Sequence, residues 1–242
     1  MWAVIPCAGR GSRMAAVSGG RPKGLLEVGG RPLLGWLVDR VADAVDGVCL
    51  VVGADDACAP DLVAAAESTA GAPVRHVVQP EPRGVGDAVL RASPVVSGPA
   101  VVLMGDGYYS DSLVPAIESW RASGEDGAVL VEPLGSGATT ARDPAGYVQT
   151  ARGVVKGVFK TEAPGGANAR LAGMAVLPER TLRMEAPGPQ GDEEIELEML
   201  VAASMERGAR FRAVPYAGWR RNVNRPEDLA AVRAHMGGGE IR

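Results

Sequence analysis

Short, unbroken apolar runs alternate with helical periodicity through the first 134 residues. "WAVIP" at 2–6, "GVCLVVG" at 47–53, "AVVLM" at 100–104 and a run at 127–132 read as strands, with 74–79 extended as well. Between them, helical patterns occupy 32–46 ("PLLGWLVDRVADAVD"), 60–70, 84–93 and 111–122. A strand that is apolar at every position has no face to give to water, so it belongs in a parallel sheet covered on both sides. The helices between strands supply the crossovers that parallel pairing requires. Hydrophobic residues make up 46% of the 242 residues but aromatics only 4%, so alanine, valine and leucine must fill this core.

After about residue 135 the pattern changes. "GYVQTARGVVKGVF" alternates around a glycine, 170–177 ("RLAGMAVL") is a strand, and 194–206, 211–215 and 226–236 read as helix, strand and helix. The expected fold is α/β, with a Rossmann-like mixed but mostly parallel sheet and a second region laid over its open edge. A single domain over 1–242 is expected, with halves at 1–134 and 135–242, no internal repeat and no linker. The tail "MGGGEIR" reads as frayed.

Net charge is −4, which gives no electrostatic footprint for nucleic acid. No basic-aromatic stripe suggests RNA. Cys7, Cys49 and Cys58 lack CxxC spacing and sit in or near apolar runs, as buried thiols in a reducing cytosol do. No window reaches the roughly 20 apolar residues of a membrane span, and "WAVIP" is too short for a signal peptide. A cytoplasmic protein is expected. His76 and His235 are the only histidines, which removes most triad and histidine-metal schemes.

Anion binding must therefore come from a local cluster, and the segment after the first strand supplies one. "PCAGRGSRM" brings glycines, whose amides can approach an anion closely. No GxxxxGK[ST] string exists in the chain, and Met14 stands at the third position of a GxGxxG reading. The remaining reading is a long loop around a triphosphate. Amides from Ala8, Gly9, Arg10, Gly11 and Ser12 cradle it, while Arg10, Arg13 and Lys23 neutralise its oxygens. An ordinary solvated basic loop is the competing reading. Asp106, just past the buried run at 100–104, lies where ligands bind in open α/β sheets. Pro226 followed by Glu227 and Asp228 is good helix N-terminal chemistry.

"PCAGRGSRM…RPKGLLEVGGRPLL" resembles the signature of the nucleotidyltransferases that activate sugar phosphates, molybdenum cofactor and methylerythritol phosphate, with Cys7 in place of the usual first alanine. "VVQPEPRGVGDAVLRA" is similar to that family's Q-x-E-x-x-G-T-x-x-A stretch. The resemblance implies that Gln79 and Gly84 hold base and ribose. Val85 stands where threonine is common, and Arg83 replaces a leucine and faces either a substrate anion or solvent. "VVLMGDGYY" makes Asp106 resemble the family's Mg²⁺-binding aspartate. "GWRRNVNRPEDL" resembles the closing motif whose residue completes the metal site, and both Asn222 and Asn224 are candidates. "GYVQTARGVVKGVFKTEAP" places Lys160 near a position that touches the acceptor, with the acidic neighbour moved to Glu162. Glu196 and Glu198 lie near where relatives meet the acceptor, or are simply solvated.

The resemblance implies a nucleotide-diphospho-sugar transferase fold of GT-A-like type, with 1–134 binding the nucleotide and 135–242 the acceptor. It implies an Mg²⁺-dependent enzyme that transfers NMP from an NTP to a small phosphate or phosphonate and releases pyrophosphate. Arg13, Lys23 and Lys160 would be its catalytic residues. CMP transfer is favoured, because the basic loop and the lack of a C-terminal acyltransferase-like repeat look closer to cytidylyl- and cofactor-activating relatives. A sugar-1-phosphate uridylyl-, thymidylyl- or guanylyltransferase is the alternative, and a non-catalytic nucleotide-binding regulatory module is the alternative of another class. A homodimer is allowed, with Trp36, Trp120 and the Tyr108–Tyr109 pair as candidates for interface or core.

Overall fold

The computed structural model describes residues 1–9, 14–54, 56–134, 146–160, 166–187 and 194–238. Arg10, Gly11, Ser12, Arg13 and Glu162, all named from the sequence, lie outside the described residues.

β1 (Trp2–Pro6) leads through α1 (Ala15–Ser18) and a 3-10 turn at Lys23–Leu25 to a small ribbon, β2 (Glu27–Val28) and β3 (Arg31–Pro32). Then come α2 (Leu33–Asp39), β4 (Gly47–Gly53), α3 (Ala59–Ala70), β5 (Val74–Gln79), α4 (Gly84–Arg91) and β6 (Ala100–Leu103). β7 (Gly107–Tyr109), α5 (Val114–Arg121) and β8 (Gly127–Pro133) complete the first half. The second half holds β9 (Tyr147–Ala151), β10 (Val154–Phe159), β11 (Ala169–Leu177), α6 (Glu179–Leu182) and α7 (Leu197–Glu206), followed by β12 (Phe211–Pro215), β13 (Arg220–Asn222) and α8 (Pro226–Met236).

β5, β4, β1 and β6 pair in parallel, as their apolar runs require. Alternate side chains go to opposite faces. Ala3, Ile5, Val48, Leu50, Val101 and Leu103 join one core with residues of α2, α3 and α5. Val4, Cys49, Val51 and Val102 join the other, with residues of α4 and α7. The helix expected over 32–46 stops at Asp39. The Arg40 carbonyl accepts from Leu113 N (2.8 Å), so that turn is spent on the start of α5.

An open, mostly parallel sheet does not describe the rest. β11 runs antiparallel to both β6 and β8, β12 is parallel to β8, and β10 and β9 follow antiparallel. β9 then pairs back onto β11 (Ala169 opposite Val148, Arg170 opposite Tyr147). Five strands, β11-β8-β12-β10-β9, thereby close into a small mixed barrel at the end of the sheet. The physical cause is the irregularity inside β11, where the register against β8 shifts between Leu171 and Ala175. Gly173 sits there with φ +72°, and an added Cβ would lie 2.6 Å from Tyr109 Oη. A bulge bends its strand. The first part of β11 turns to meet β9, while Met174–Leu177 stays on β6. The strand expected at 170–177 is present as Ala169–Leu177, and its bend is set by the packing around Gly173.

A third core, of Met14, Leu26, Val28, Leu33, Tyr108, Val223, Leu229 and Val232, fastens α8 and the ribbons to the main body. Trp36 and Trp219 pack on it, Trp120 packs on the first core, and Tyr108 and Tyr109 are buried. His235 is part of α8, just before the tail, and stacks on Trp219 at 4.2 Å. All three cysteines are free. Among the described residues, no helix is long and apolar enough to cross a membrane.

Candidate functional site

A cleft of about 530 Å³ opens at the carboxyl ends of β1, β5 and β6. Pro6 and Cys7–Gly9 form one wall, Gln79 a second, Met104–Asp106 the floor, and Lys23, Gly24 and Asn224 close one side. A slot of about 280 Å³ continues from it, lined by Gly20, Pro22, Gly53, Ala54, Asp56, Pro80 and Pro82. Ala8, Gly9 and Gln79 border both.

Three elements far apart in sequence meet at the charged end. Lys23 Nζ donates to Asp106 Oδ2 (3.1 Å) and to Asn224 Oδ1 (2.6 Å). Asp106 Oδ1 is buried and, among the described residues, has no hydrogen-bond partner. A buried carboxylate oxygen without a donor is costly, and this one lies beside an oxygen ligand on Asn224 in a cleft open to a ligand. Mg²⁺ prefers one or two carboxylates with substrate phosphates and water over an all-protein cage. Among the described residues no group of three or more His, Cys, Asp or Glu forms a metal cage, and Asp106 with Asn224 fits the sparser arrangement. Asn222 is engaged elsewhere, its Oδ1 accepting from Arg220 Nη1 (2.9 Å).

Local structure explains this convergence. β7 pairs antiparallel with β13, Gly107 opposite Asn222, which carries the chain after β13 past the Asp106 turn. Val223 N donates to the Asp106 carbonyl (2.7 Å). Asp228, in the first turn of α8, accepts from Asn224 N (3.0 Å), Arg225 N (2.9 Å) and Arg221 Nε (2.8 Å). The residues that look like plain helix-start chemistry thus hold the Asn224 backbone. Gly105 is needed for close approach, since a Cβ there would run into the Pro6 carbonyl.

The cleft also joins the two halves of the chain. Gly86 N donates to the Ile195 carbonyl (2.6 Å) and Ile195 N to the Arg83 carbonyl (2.9 Å), so Glu194 and Glu196 line the cleft. Burial raises the Glu196 pKa, with Glu198 and Glu194 adding to the rise and Lys160 opposing it. Burial raises that of Glu198 too, against its own backbone amide and Lys160. Lys160, one residue past β10, is exposed and acts on these carboxylates without lining the cleft. Gly84 and Val85 do line it. Burial, with Asp56 and Asp106 adding to it, pushes the Cys7 thiol to about 12, which leaves Cys7 an inert wall.

Sequence reasoning brought Lys23, Asp106, Asn224, Gln79, Gly84, Ala8 and Gly9 to one place. It missed Gly105 and the part that Asp228 plays in holding Asn224. The "GD" after a buried strand was the available signal for Gly105. The helix start at Pro226 marked Asp228, and only the structure shows its carboxylate also taking the Asn224 amide and Arg221.

Fold and site together define an α/β protein with a cleft at strand carboxyl ends, lined by a lysine, a carboxylate and small backbone walls. Residues 3–166 match the MobA-like NTP transferase domain, and the chain belongs to that family. It is 30% identical over 124 residues to the bifunctional protein GlmU of Methanococcus vannielii, covering 51% of this chain and 29% of that protein. The chain therefore spans less than a third of the length of that relative. It is 23% identical over 229 residues to the UTP–glucose-1-phosphate uridylyltransferase AglF of Haloferax volcanii, covering 94% of this chain and 93% of that one. A UDP-glucose pyrophosphorylase solved with UDP-glucose superposes with a TM-score of 0.82 at 17% identity, over 98% of each chain.

Proposed function

We propose that this chain transfers NMP from a nucleoside triphosphate to a sugar 1-phosphate and releases pyrophosphate. The observation that carries the reading is the Lys23–Asp106–Asn224 cluster, with a carboxylate oxygen that has no partner among the described residues, at the strand ends of a cleft large enough for a nucleotide. Uridylyl transfer to a sugar phosphate takes precedence over the expected CMP and phosphonate chemistry for two reasons. One relative that matches over nearly its full length is a UTP–glucose-1-phosphate uridylyltransferase. Glu194 and Glu196, which line the cleft on the side of the second half, are acceptors suited to sugar hydroxyls.

In this reading residues 1–134 hold the nucleotide and residues 135–242 shape the acceptor side. The sugar phosphate is already ionised at neutral pH, so its oxygen attacks the α-phosphorus in line, opposite pyrophosphate, without a general base. Rate comes from positioning and charge neutralisation. Lys23 exchanges its present carboxylate and amide partners for phosphate oxygens, and Arg13 adds a fork from the same loop. Asp106 and Asn224 would hold Mg²⁺, which supplies charge stabilisation at the phosphates. Lys160 offsets the acidic patch near the acceptor.

The test is pyrophosphate release with Mg²⁺ across ATP, CTP, GTP, UTP and dTTP, each offered sugar 1-phosphates, alcohol phosphates and small phosphonates. Release should require a sugar 1-phosphate and fall at least ~10²-fold in Asp106→Ala. Wild-type turnover in that variant would sink the site. Release with a phosphonate alone would restore the other acceptor.

A further inference from the structure

Gln79, the last residue of β5, stands where the charged cleft meets the slot and borders both. It is 4% exposed, and its amide is held from behind. Nε2 donates to Asp87 Oδ2 (2.9 Å) and to the Gly84 carbonyl (3.0 Å). A carboxylate and a carbonyl can only accept here, so the nitrogen end must face them and the oxygen end must turn away. Among the described residues no donor reaches Oε1, and Gln79 lines both cavities.

Asp87 is itself buried, 4% exposed, on α4. Arg91, one turn further along the helix, donates from Nη2 to Oδ1 at 3.1 Å and holds the carboxylate in place. A buried charge is expensive to keep; this one is paired with Arg91 and also accepts from a neutral amide beside the cleft. Among the described residues, the slot beyond Gln79 is walled by glycine, alanine and proline and by Asp56, whose Oδ1 already takes Cys58 N at 2.9 Å.

We infer that Asp87 is the positioning residue for base selection: by fixing the Gln79 amide it presents Oε1 as an acceptor, and the slot selects a nucleobase that brings an N–H to that point over one that brings a lone pair. This rests on the reading of the cleft as an NTP site, with phosphates at Lys23 and base in the slot. Without Asp87 the Gln79 amide can rotate about its last torsion and offer either end. A site built to meet an N–H loses discrimination when its acceptor is no longer fixed.

The measurement is the dissociation constant of each of ATP, CTP, GTP, UTP and dTTP with Mg²⁺, for wild type, Asp87→Ala, Asp87→Leu, Asp87→Asn and Asp106→Ala. The affinity ratio between the preferred NTP and its nearest rival should fall about tenfold or more in Asp87→Ala. Asp87→Leu, which keeps the volume, should do the same and serves if the alanine variant does not fold. Asp87→Asn, whose amide oxygen still accepts from Gln79, should restore the ratio. Asp106→Ala should weaken all five NTPs alike, because it acts at the phosphate end. An unchanged ratio in folded Asp87→Ala or Asp87→Leu, or a wild type that does not discriminate, overturns the role of Asp87 while leaving the NTP site standing. A wild type that binds no NTP overturns the site and this inference together.

Discussion

Gly105→Ala adds one methyl group at the point where the Asp106 turn passes under the end of β1. The new Cβ would overlap the Pro6 carbonyl oxygen, lie 3.3 Å from its carbon and 3.6 Å from Cys7 Sγ. The main obstacle is backbone on a central strand, so no side-chain rotation relieves it. The turn must move, and it carries Asp106 with it. A shift of about 1 Å at a catalytic group costs on the order of 10²-fold in rate, while overpacking of this kind costs about 1–3 kcal/mol of stability. We expect folded Gly105→Ala with a Tm several degrees lower and kcat/KM for pyrophosphate release reduced on the order of 10²-fold. Gly237→Ala is the control, because its Cβ would make only ordinary contacts with the helix carbonyls of α8. If Gly105→Ala kept kcat/KM within about threefold of wild type, the Asp106 turn would not set the reaction geometry and the reasoning would be refuted.

Asn224→Ala should raise the Mg²⁺ concentration needed for half-maximal rate about tenfold or more, whereas Asn222→Ala should leave it nearly unchanged; a magnesium titration that reverses this order would reassign the ligand. Glu198 has a folded-state pKa above its ordinary 4.5, chiefly from burial. Its contribution to stability is therefore fully present below about 4.5 and lost as pH rises through the raised folded value. Glu198→Gln should accordingly raise Tm at neutral pH and give no gain below 4.5, which melting curves across that window would show. A gain at acid pH alone would contradict the sign.

Much of the parallel half was legible in the chain. "GVCLVVG" and "AVVLM" are apolar at every position because both faces of β4 and β6 are covered, a property that the residues carry wherever the strands end up. Lys23, Gln79 and Asp106 were legible for a related reason, since each stands just past or at the end of such an element, or within a motif spaced by it. The closed end of the sheet was not. Whether β11 runs straight or bends at Gly173 depends on Tyr109 Oη occupying the space beside that glycine and on β9 arriving to pair, and neither fact is local.

The choice between Asn222 and Asn224 shows the same divide at the site. Two asparagines two residues apart in an extended segment are equivalent in sequence. The β7–β13 register and the grip of Asp228 on the following backbone turn one toward Lys23, while Arg220 takes the other. Asp87 is the clearest case, because nothing in "GVGDAVLR" by itself tells that its carboxylate is buried against Gln79. By itself the sequence determined the order of the strands and helices, the sign of the charge around the first loop and the carboxylate at the end of β6, because these follow from residue type and spacing along one chain. The tertiary structure decided barrel closure, which asparagine meets Lys23 and the direction of the Gln79 amide, because each depends on how strands, turns and helices pack and not on residue type alone.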